Sequence, residues 1–388
     1  MIYFDNAATT QVCPEAVKAA IEMMTEQYGN PSSTHSLGRG AAQALKRARE
    51  TLASALGAAK ASEIIFTSCG SESDNWALLS GAEKMRHKGR HIISSQTEHD
   101  AILKTLDKLD AEGWEVTRLA PEKDGSISVD RVRKALRRDT VLVSLMQVNN
   151  ETGAIQPVKE IAAALLERYK GKRRPRFHVD CVQALGKVPI DFLGEEGVDS
   201  AAFSAHKISG PRGIGLLYLK KEEEFFLRGG GQEGGARSGT ENLFGAIALA
   251  ECLEKYAFVP SKENPRLKAQ NEWTADFIKG LLCIKGASII PESRSGSLQE
   301  NFSPWIVQAS FKNIPGQVML RALDAKGIFI STGSACSSKK ASRPILEAMQ
   351  VPADVRENSV RFSFGHKTTR EGMEELLKAV REVCAAFN

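Results

Sequence analysis

The 388-residue sequence is 42% hydrophobic and sets 52 Lys and Arg against 47 Asp and Glu, for a formal charge of +5. A charge this small and evenly spread argues against a nucleic-acid partner, and no apolar run reaches the length of a membrane span. With 7 cysteines and no CxxC pair, the chain fits neither a disulfide framework nor a zinc ribbon; a reducing, cytoplasmic setting is expected.

The N-terminal residues show neither the basic region nor the apolar core of a secretory signal. The length suggests a large domain at 16–257 and a smaller one at 258–388, with 1–15 packing on the smaller. In chain order, an extended segment ends in Asp5-Asn6-Ala7-Ala8-Thr9-Thr10, and Pro14 opens a helix to about 28. A Gly-Asn-Pro-Ser-Ser turn at 29–33 leads into an Ala/Arg-rich helix at 35–56. Predicted strands at 63–67, 91–95, 115–119, 141–148, 176–180, 199–205 and 215–219 then alternate with helical stretches at 72–88, 101–112, 129–136 and 158–169. This alternation reads as an α/β fold with a mostly parallel central sheet and helices on both faces. A glycine-dense loop from Gly229 to Thr240 precedes a helix at 241–256, and 258–265 reads as the domain boundary. Helices near 270–282, 316–326 and 370–387, with strands near 287–290, 306–311, 329–330 and 359–364, complete a smaller α+β domain.

In such sheets ligands bind beyond the carboxyl ends of the strands, and the chemistry-bearing residues fall there. Gly70 and Ser71, His99, Asn150, Asp180 and Lys207 each follow a predicted strand. The strand at 176–180 ends on a carboxylate, and the next ends in Ser204-Ala205-His206-Lys207. This pair suits pyridoxal 5′-phosphate: a lysine amine holds the aldehyde as a Schiff base, and a carboxylate keeps the pyridine nitrogen protonated. Alone, Asp180 reads equally well as a turn cap and Lys207 as a surface lysine; the other strand ends shift that balance. A helix opening at Gly70-Ser71 offers free N–H groups to a phosphate, although a serine there is also an ordinary cap. Ser204, His206 and the glycine loop with Arg237, Ser238 and Thr240 are further phosphate candidates. His99 is placed to stack on the ring. Gln183, a helical turn beyond Asp180, is placed to reach its phenolic oxygen. Arg361, inside an apolar strand, wants a carboxylate partner, either internal or from substrate, with Asn150 beside it. A metal reading of His178, Asp180 and Cys181 lacks a second cluster of ligands. Cys252, Cys283 and Cys384 sit among apolar residues and read as small hydrophobes. Cys336 differs: it lies in Ser331-Thr332-Gly333-Ser334-Ala335-Cys336-Ser337-Ser338-Lys339-Lys340, a cation-flanked setting that favours a reactive thiolate.

Taken together these stretches resemble the pyridoxal-phosphate-dependent cysteine desulfurases of the NifS/IscS type, in the class V aminotransferase superfamily. The likeness runs in order from Tyr3-Phe4-Asp5-Asn6-Ala7-Ala8-Thr9-Thr10 through Thr97-Glu98-His99, Val148-Asn149-Asn150-Glu151, His178-Val179-Asp180, Gln183, Ser204-Ala205-His206-Lys207, Arg237-Ser238-Gly239-Thr240-Glu241-Asn242 and Gly333-Ser334-Ala335-Cys336 to Arg361-Phe362-Ser363. It implies a homodimer of fold-type I subunits. Lys207 would carry the coenzyme, Asp180 would pair with its ring nitrogen, His99 would stack on it and Gln183 would contact its phenolic oxygen. Gly70, Ser71, Ser204 and His206 would hold the phosphate, with Thr240 supplied by the partner subunit. Asn150 and Arg361 would bind the carboxylate of L-cysteine, and Cys336 would take its sulfur as a persulfide, leaving L-alanine. The stretch around Cys336 resembles the longer loop of the group that hands sulfur to an iron–sulfur scaffold protein.

The family's Ser-Gly-Ala-Thr-Glu-Ser-Asn turn stands here as Ser68-Cys69-Gly70-Ser71-Glu72-Ser73-Asp74, which adds a carboxylate at 74. Cys181 stands where alanine is common, and His366-Lys367 where an arginine is common. A selenocysteine lyase or a class V aminotransferase would share the coenzyme site, and an aminotransferase would not need Cys336. A non-enzymatic sulfur relay would not need Lys207. A dinucleotide enzyme is disfavoured, because no GxGxxG follows the first strand.

Overall fold

A computed structural model describes residues 1–194, 197–221, 227–256, 264–296, 299–333 and 343–387. The expected boundary at 257/258 and the thiol of Cys336 lie outside these residues. The elements begin with β1 (Ile2–Tyr3), α1 (Pro14–Thr25), α2 (Ser36–Leu56), β2 (Ile64–Thr67), α3 (Gly70–Met85), β3 (His91–Ser95), α4 (Asp100–Ala111), β4 (Glu115–Leu119), α5 (Val129–Ala135), β5 (Thr140–Met146), α6 (Val158–Arg168), β6 (Arg176–Asp180), β7 (Ser200–Ser204), β8 (Gly215–Leu219) and α7 (Leu243–Tyr256). They continue with α8 (Pro265–Leu282), β9 (Ala287–Ile290), β10 (Ile306–Phe311), α9 (Gly316–Asp324), β11 (Ile328–Phe329), α10 (Pro344–Ala348), α11 (Ala353–Glu357), β12 (Ser359–Ser363) and α12 (Arg370–Phe387).

The predicted strands of the first half join one 7-stranded sheet in the order β2-β8-β7-β6-β5-β3-β4. Strands β4, β3, β5, β6 and β7 run parallel, and β8 pairs antiparallel with both β7 and β2. Successive side chains of a strand point to opposite faces. Ile92 and Leu142 therefore pack on α3 and α4 through Leu78, Ile102 and Leu106. On the other face Ile93, Val143, Phe177 and Phe203 meet Leu45 and Leu52 of α2, Val132 of α5, Ile161 of α6 and Leu249 of α7. This is the expected α/β layering. Strands that are apolar on both faces belong to a sheet covered on both sides.

A second apolar cluster forms around a 3-stranded antiparallel sheet, β12-β10-β9, covered by α8, α9 and α12. Phe4 belongs to this cluster, its ring edge-on to Phe364 at 5.5 Å between centroids. β1 adds to β11 in a parallel pair.

The two sheets meet at a buried aromatic junction. The His366 ring stacks on Tyr256 at 4.4 Å and leans on Trp305 at 5.3 Å. Arg266 lies over Trp305 and donates to the carbonyls of Gly365, His366 and Thr368. Trp305 Nε1 donates to the Lys187 carbonyl at 2.6 Å, which ties the second cluster to the turn that follows β6. Burial, reinforced by the Lys187 and Arg266 charges, pushes the His366 imidazole down to about 3. In the unfolded chain this ring binds a proton near 6.5. Between those two values the unfolded state holds more protons, so the contribution is fully present above about 6.5 and is lost as pH falls. The wild-type protein should therefore lose about 2 kcal/mol more stability than His366→Phe when the pH drops from about 7 to about 5, as read by denaturant unfolding. Parallel losses in the two proteins would contradict this.

Candidate active site

At the carboxyl edge of the large sheet lies a cavity of about 220 Å³. Its wall includes Gly70, Ser71, His99, Asn150, Asp180, Gln183, Ser204, His206, Lys207 and Arg361. The strand ends singled out in the sequence thus converge, because parallel strands deliver their C-termini to one edge. The connection after each carries the chemistry: Gly70 and Ser71 follow β2, His99 follows β3, Asn150 follows β5, Asp180 closes β6, and Lys207 ends a short 3-10 turn after β7.

Lys207 Nζ donates to the carbonyls of Ala7 and Ala8, both at 2.7 Å, so the N-terminal segment holds the amine in the cavity. Asp180 is buried, and its Oδ1 accepts from the Val182 N–H at 2.9 Å. Burial raises its pKa; the electrostatic interaction with His99, the Val182 N–H and the charge of Lys207 oppose that rise. A cation beside this carboxyl would lower its pKa and favour the carboxylate. His99 caps α4, with Nδ1 accepting from Ala101 N–H at 3.2 Å, so its proton sits on Nε2.

The end of the cavity expected to take a phosphate rests on α3. Its N-cap is Cys69, in extended conformation and with no side-chain cap bond, rather than the serine cap considered above. The first-turn amides and the positive end of a 16-residue helix therefore face the cavity. Gly70 leaves room there: a Cβ would lie 2.6 Å from Val182 Cγ2, so a larger residue would have to displace that side chain. Ser204 is buried beside it, and Ser71 stands at the rim. His206 Nδ1 lies 3.1 Å from Thr9 Oγ1; burial and the Lys207 charge push its pKa down to about 4, so it is neutral at physiological pH.

Arg361 is fully buried and its partners are internal. Nη2 donates to Asp5 Oδ1 at 2.8 Å and Nη1 to the Asn150 carbonyl at 2.8 Å, while Nε has no partner among the described residues. The side-chain Oδ1 of Asn150 is likewise buried without a partner. These orphaned polar atoms, the uncapped helix end and the Gly70 cradle fit a polar, phosphate-bearing ligand. Gln183 lies in a hydrogen-bonded turn rather than the helix considered from sequence, yet it reaches the cavity. Its Nε2 donates to the Ala7 carbonyl at 2.9 Å and its Oε1 accepts from Lys187 Nζ at 3.1 Å.

Asp74 changes meaning in the fold. Burial first, then the Asp180, Glu98 and Cys69 charges, raise its pKa well above the carboxylate range and favour the neutral acid over the expected negative charge. Asp74 Oδ1 lies 3.1 Å from His178 Nε2, whose other nitrogen lies 2.9 Å from Ser200 Oγ. Burial pushes His178 down to about 3, so it is neutral, and the same cause lifts Glu98 to about 8. His178 is thus committed to Asp74 and Ser200, and among the described residues no cluster able to hold a metal ion occurs.

The glycine loop lies away from this cavity. Thr240, expected to serve the partner subunit's phosphate site, is exposed and does not line the cavity of its own chain. Arg237 pairs with Glu72 of α3 at 2.9 Å, and Ser238 N–H bonds the Leu227 carbonyl, so neither reaches the cavity. The glycine loop is instead pinned by Glu233, which accepts two 2.7 Å bonds from Arg49. Cys252 and Cys384 are buried as expected, but Cys283 is exposed just past α8, because it falls on the outer side of the helix end. Sequence reading missed the Asp5–Arg361 pair and Lys187; the apolar neighbours of a lone lysine at 187 are its only sequence signal.

The chain matches the aminotransferase class-V family over residues 2–376. It is 40% identical to a cysteine desulfurase IscS of Methanosarcina thermophila, with 98% of this chain and 91% of that protein covered. Among solved structures, a NifS-like protein superposes with a TM-score of 0.89 at 35% identity, covering 99% of each chain. SspA in complex with cysteine superposes with a TM-score of 0.80 at 30% identity, covering 95% of this chain and 100% of that one. The chain belongs to the class-V aminotransferase family, within its NifS/IscS-type cysteine desulfurase group.

Proposed function

We propose that this protein is a pyridoxal-phosphate-dependent cysteine desulfurase, a sulfurtransferase that converts L-cysteine to L-alanine and passes the sulfur to an acceptor protein for iron–sulfur cluster assembly or other sulfur transfer. The observation that carries the reading is the convergence of the Lys207 amine and the buried Asp180 carboxyl on one cavity floored by an uncapped helix N-terminus. The families matched are pyridoxal-phosphate-dependent. The desulfurase names of the relatives favour this reading over a selenocysteine lyase or an aminotransferase.

Lys207 would hold the coenzyme and Asp180 its ring nitrogen. Gly70, Ser71, Ser204 and His206 would hold the phosphate, and His99 would cover the ring face. When bound, the coenzyme supplies an electron sink for the substrate's α-carbon. The chain's own residues do the rest. Arg361, by sharing or exchanging Asp5, binds the substrate carboxylate, and the Asn150 side chain lies beside it. Lys207 Nζ takes the α-proton and returns it. The Cys336 thiolate attacks the substrate sulfur: the S–S bond forms, the C–S bond breaks, and the carbon keeps the electron pair and takes up a proton. Alanine and a Cys336 persulfide result, and a thiol of the acceptor protein then receives the terminal sulfur.

A homodimer and a division into domains at 16–257 and 258–388 belong to the same proposal, as does a cytoplasmic setting. Two separate apolar clusters support the division. On α1, small residues at 13, 16 and 20 face α7, while Val17, Ile21, Met24 and the following Tyr28 form an outward stripe exposed by 42%, 51%, 50% and 68%. A stripe of large apolar side chains at helical spacing calls for a cover. A second copy there is consistent with Thr240 serving a neighbour's phosphate site. Ile21→Arg combined with Met24→Glu should shift the protein to monomer in light scattering and weaken coenzyme retention; an unchanged mass would refute this interface.

The function is tested with coenzyme-loaded protein and L-cysteine. Equal amounts of alanine and sulfide should appear when a reducing thiol is present. Cys336→Ala should retain the substrate-induced absorbance change and lose sulfide release by roughly a thousandfold. Normal sulfide output from that variant would end the proposal.

A further inference from the structure

Lys187 is almost fully buried in the turn after β6, with 1% of its surface exposed. A lysine this deep ordinarily pairs with a carboxylate. Here Nζ bonds the amide oxygen of Gln183 at 3.1 Å, and the charges acting on it, Lys207 and Arg361, are both positive. Two further groups face it, His206 from the turn after β7 and His366 from the segment after β12, and both are held neutral. Among the described residues Lys187 Nζ therefore sits near cations with one neutral acceptor, an arrangement that costs stability rather than adding it.

The arrangement fixes the sense of one side chain. An ammonium has only donors, so Gln183 must turn its oxygen toward Lys187. The Ala7 carbonyl has only acceptors, so Gln183 must turn its nitrogen the other way, at 2.9 Å. A flipped amide would set donor against donor at one end and acceptor against acceptor at the other. Because an amide nitrogen carries two N–H groups, one stays available to the cavity that Gln183 lines. Charge on Lys187 also polarises the amide, which strengthens that N–H as a donor.

We propose that Lys187 is a positioning residue for the desulfurase reaction: it locks the Gln183 amide with its N–H toward the coenzyme and, through that amide, favours the ionised form of the coenzyme's phenolic oxygen. The inference rests on the pyridoxal-phosphate reading above. Burial, with the Lys207 and Arg361 charges, pushes the Lys187 amine down to about 7. The cation is thus most populated on the acid side of neutrality.

The test is a pH titration of the visible absorbance of coenzyme-loaded protein, with no turnover involved. Lys187→Met should raise the midpoint by roughly one pH unit, and Lys187→Arg, which keeps the cation, should restore most of the shift. In a Gln183→Leu background the same Lys187→Met change should move the midpoint little, because the effect passes through that amide. Should Lys187→Met not fold, Lys187→Gln takes its place in the same comparison. A coloured Lys187 variant with an unmoved midpoint overturns the inference alone, as does a full shift that persists without Gln183. Wild-type protein that stays colourless with coenzyme supplied overturns the underlying reading instead.

Discussion

The parallel register of β5, β6 and β7 is the constraint on which the site depends. Met146 lies opposite Asp180, and Asp180 opposite Ala202, so β5 and β6 end level and β7 runs two residues further, to Ser204. The chain crosses that edge under backbone control, with Gln147 N–H bonded to the Asp180 carbonyl and Cys181 N–H to that of Ala202. Phe177 and Val179 point into the main core while His178 lies against Asp74, which leaves Asp180 on the cavity side. A slip of one residue would send Asp180 into the apolar layer and bring Val179 to the cavity, an exchange that the buried core forbids.

The N-terminal segment completes what the sheet begins. The Ala7 carbonyl accepts from both Lys207 and Gln183, and Asp5 pairs with Arg361 of β12. Phe4 sits in the core of the second sheet and Ala7 in that of the first. A few consecutive residues therefore set the spacing between the amine on one sheet and the guanidinium on the other. The same carbonyls that hold Lys207 are weak, neutral acceptors, which an amine can leave when a better partner enters. The Asp5–Arg361 pair works alike: it offsets the cost of a buried guanidinium while leaving its Nε without a partner among the described residues. The interior is otherwise kept low in charge, since Asp74 and Glu98 favour their neutral acids and His178, His206 and His366 their neutral rings.

Much of this was legible in the sequence because it is local. Short apolar runs alternating with helical stretches mark the strands of the large sheet, and the rule that ligands sit at carboxyl ends picks out Gly70, His99, Asn150, Asp180 and Lys207 without any contact information. What escaped is long-range. Asp5 and Arg361 are 356 residues apart, and nothing in either segment names the other. Gln183 was placed by helical spacing, yet it reaches the cavity from a turn held by Trp305, a partner invisible from the local pattern. The reversed strand β8 reads like its parallel neighbours, because strands apolar on both faces carry no sign of direction. Asp74 carries its meaning only in the fold, where Asp180 and Glu98 crowd it. Cys283 looked apolar from its neighbours, but a helix end turns it outward.

The chemistry of the cavity turns on the identity of one amine. Borohydride reduction of the coenzyme-loaded protein, followed by peptide mapping, records which lysine was bound. The structure predicts the label on Lys207, whose nitrogen sits in the cavity beneath Ala7 and Ala8. A label on Lys187 or any other lysine, or none at all, would contradict it.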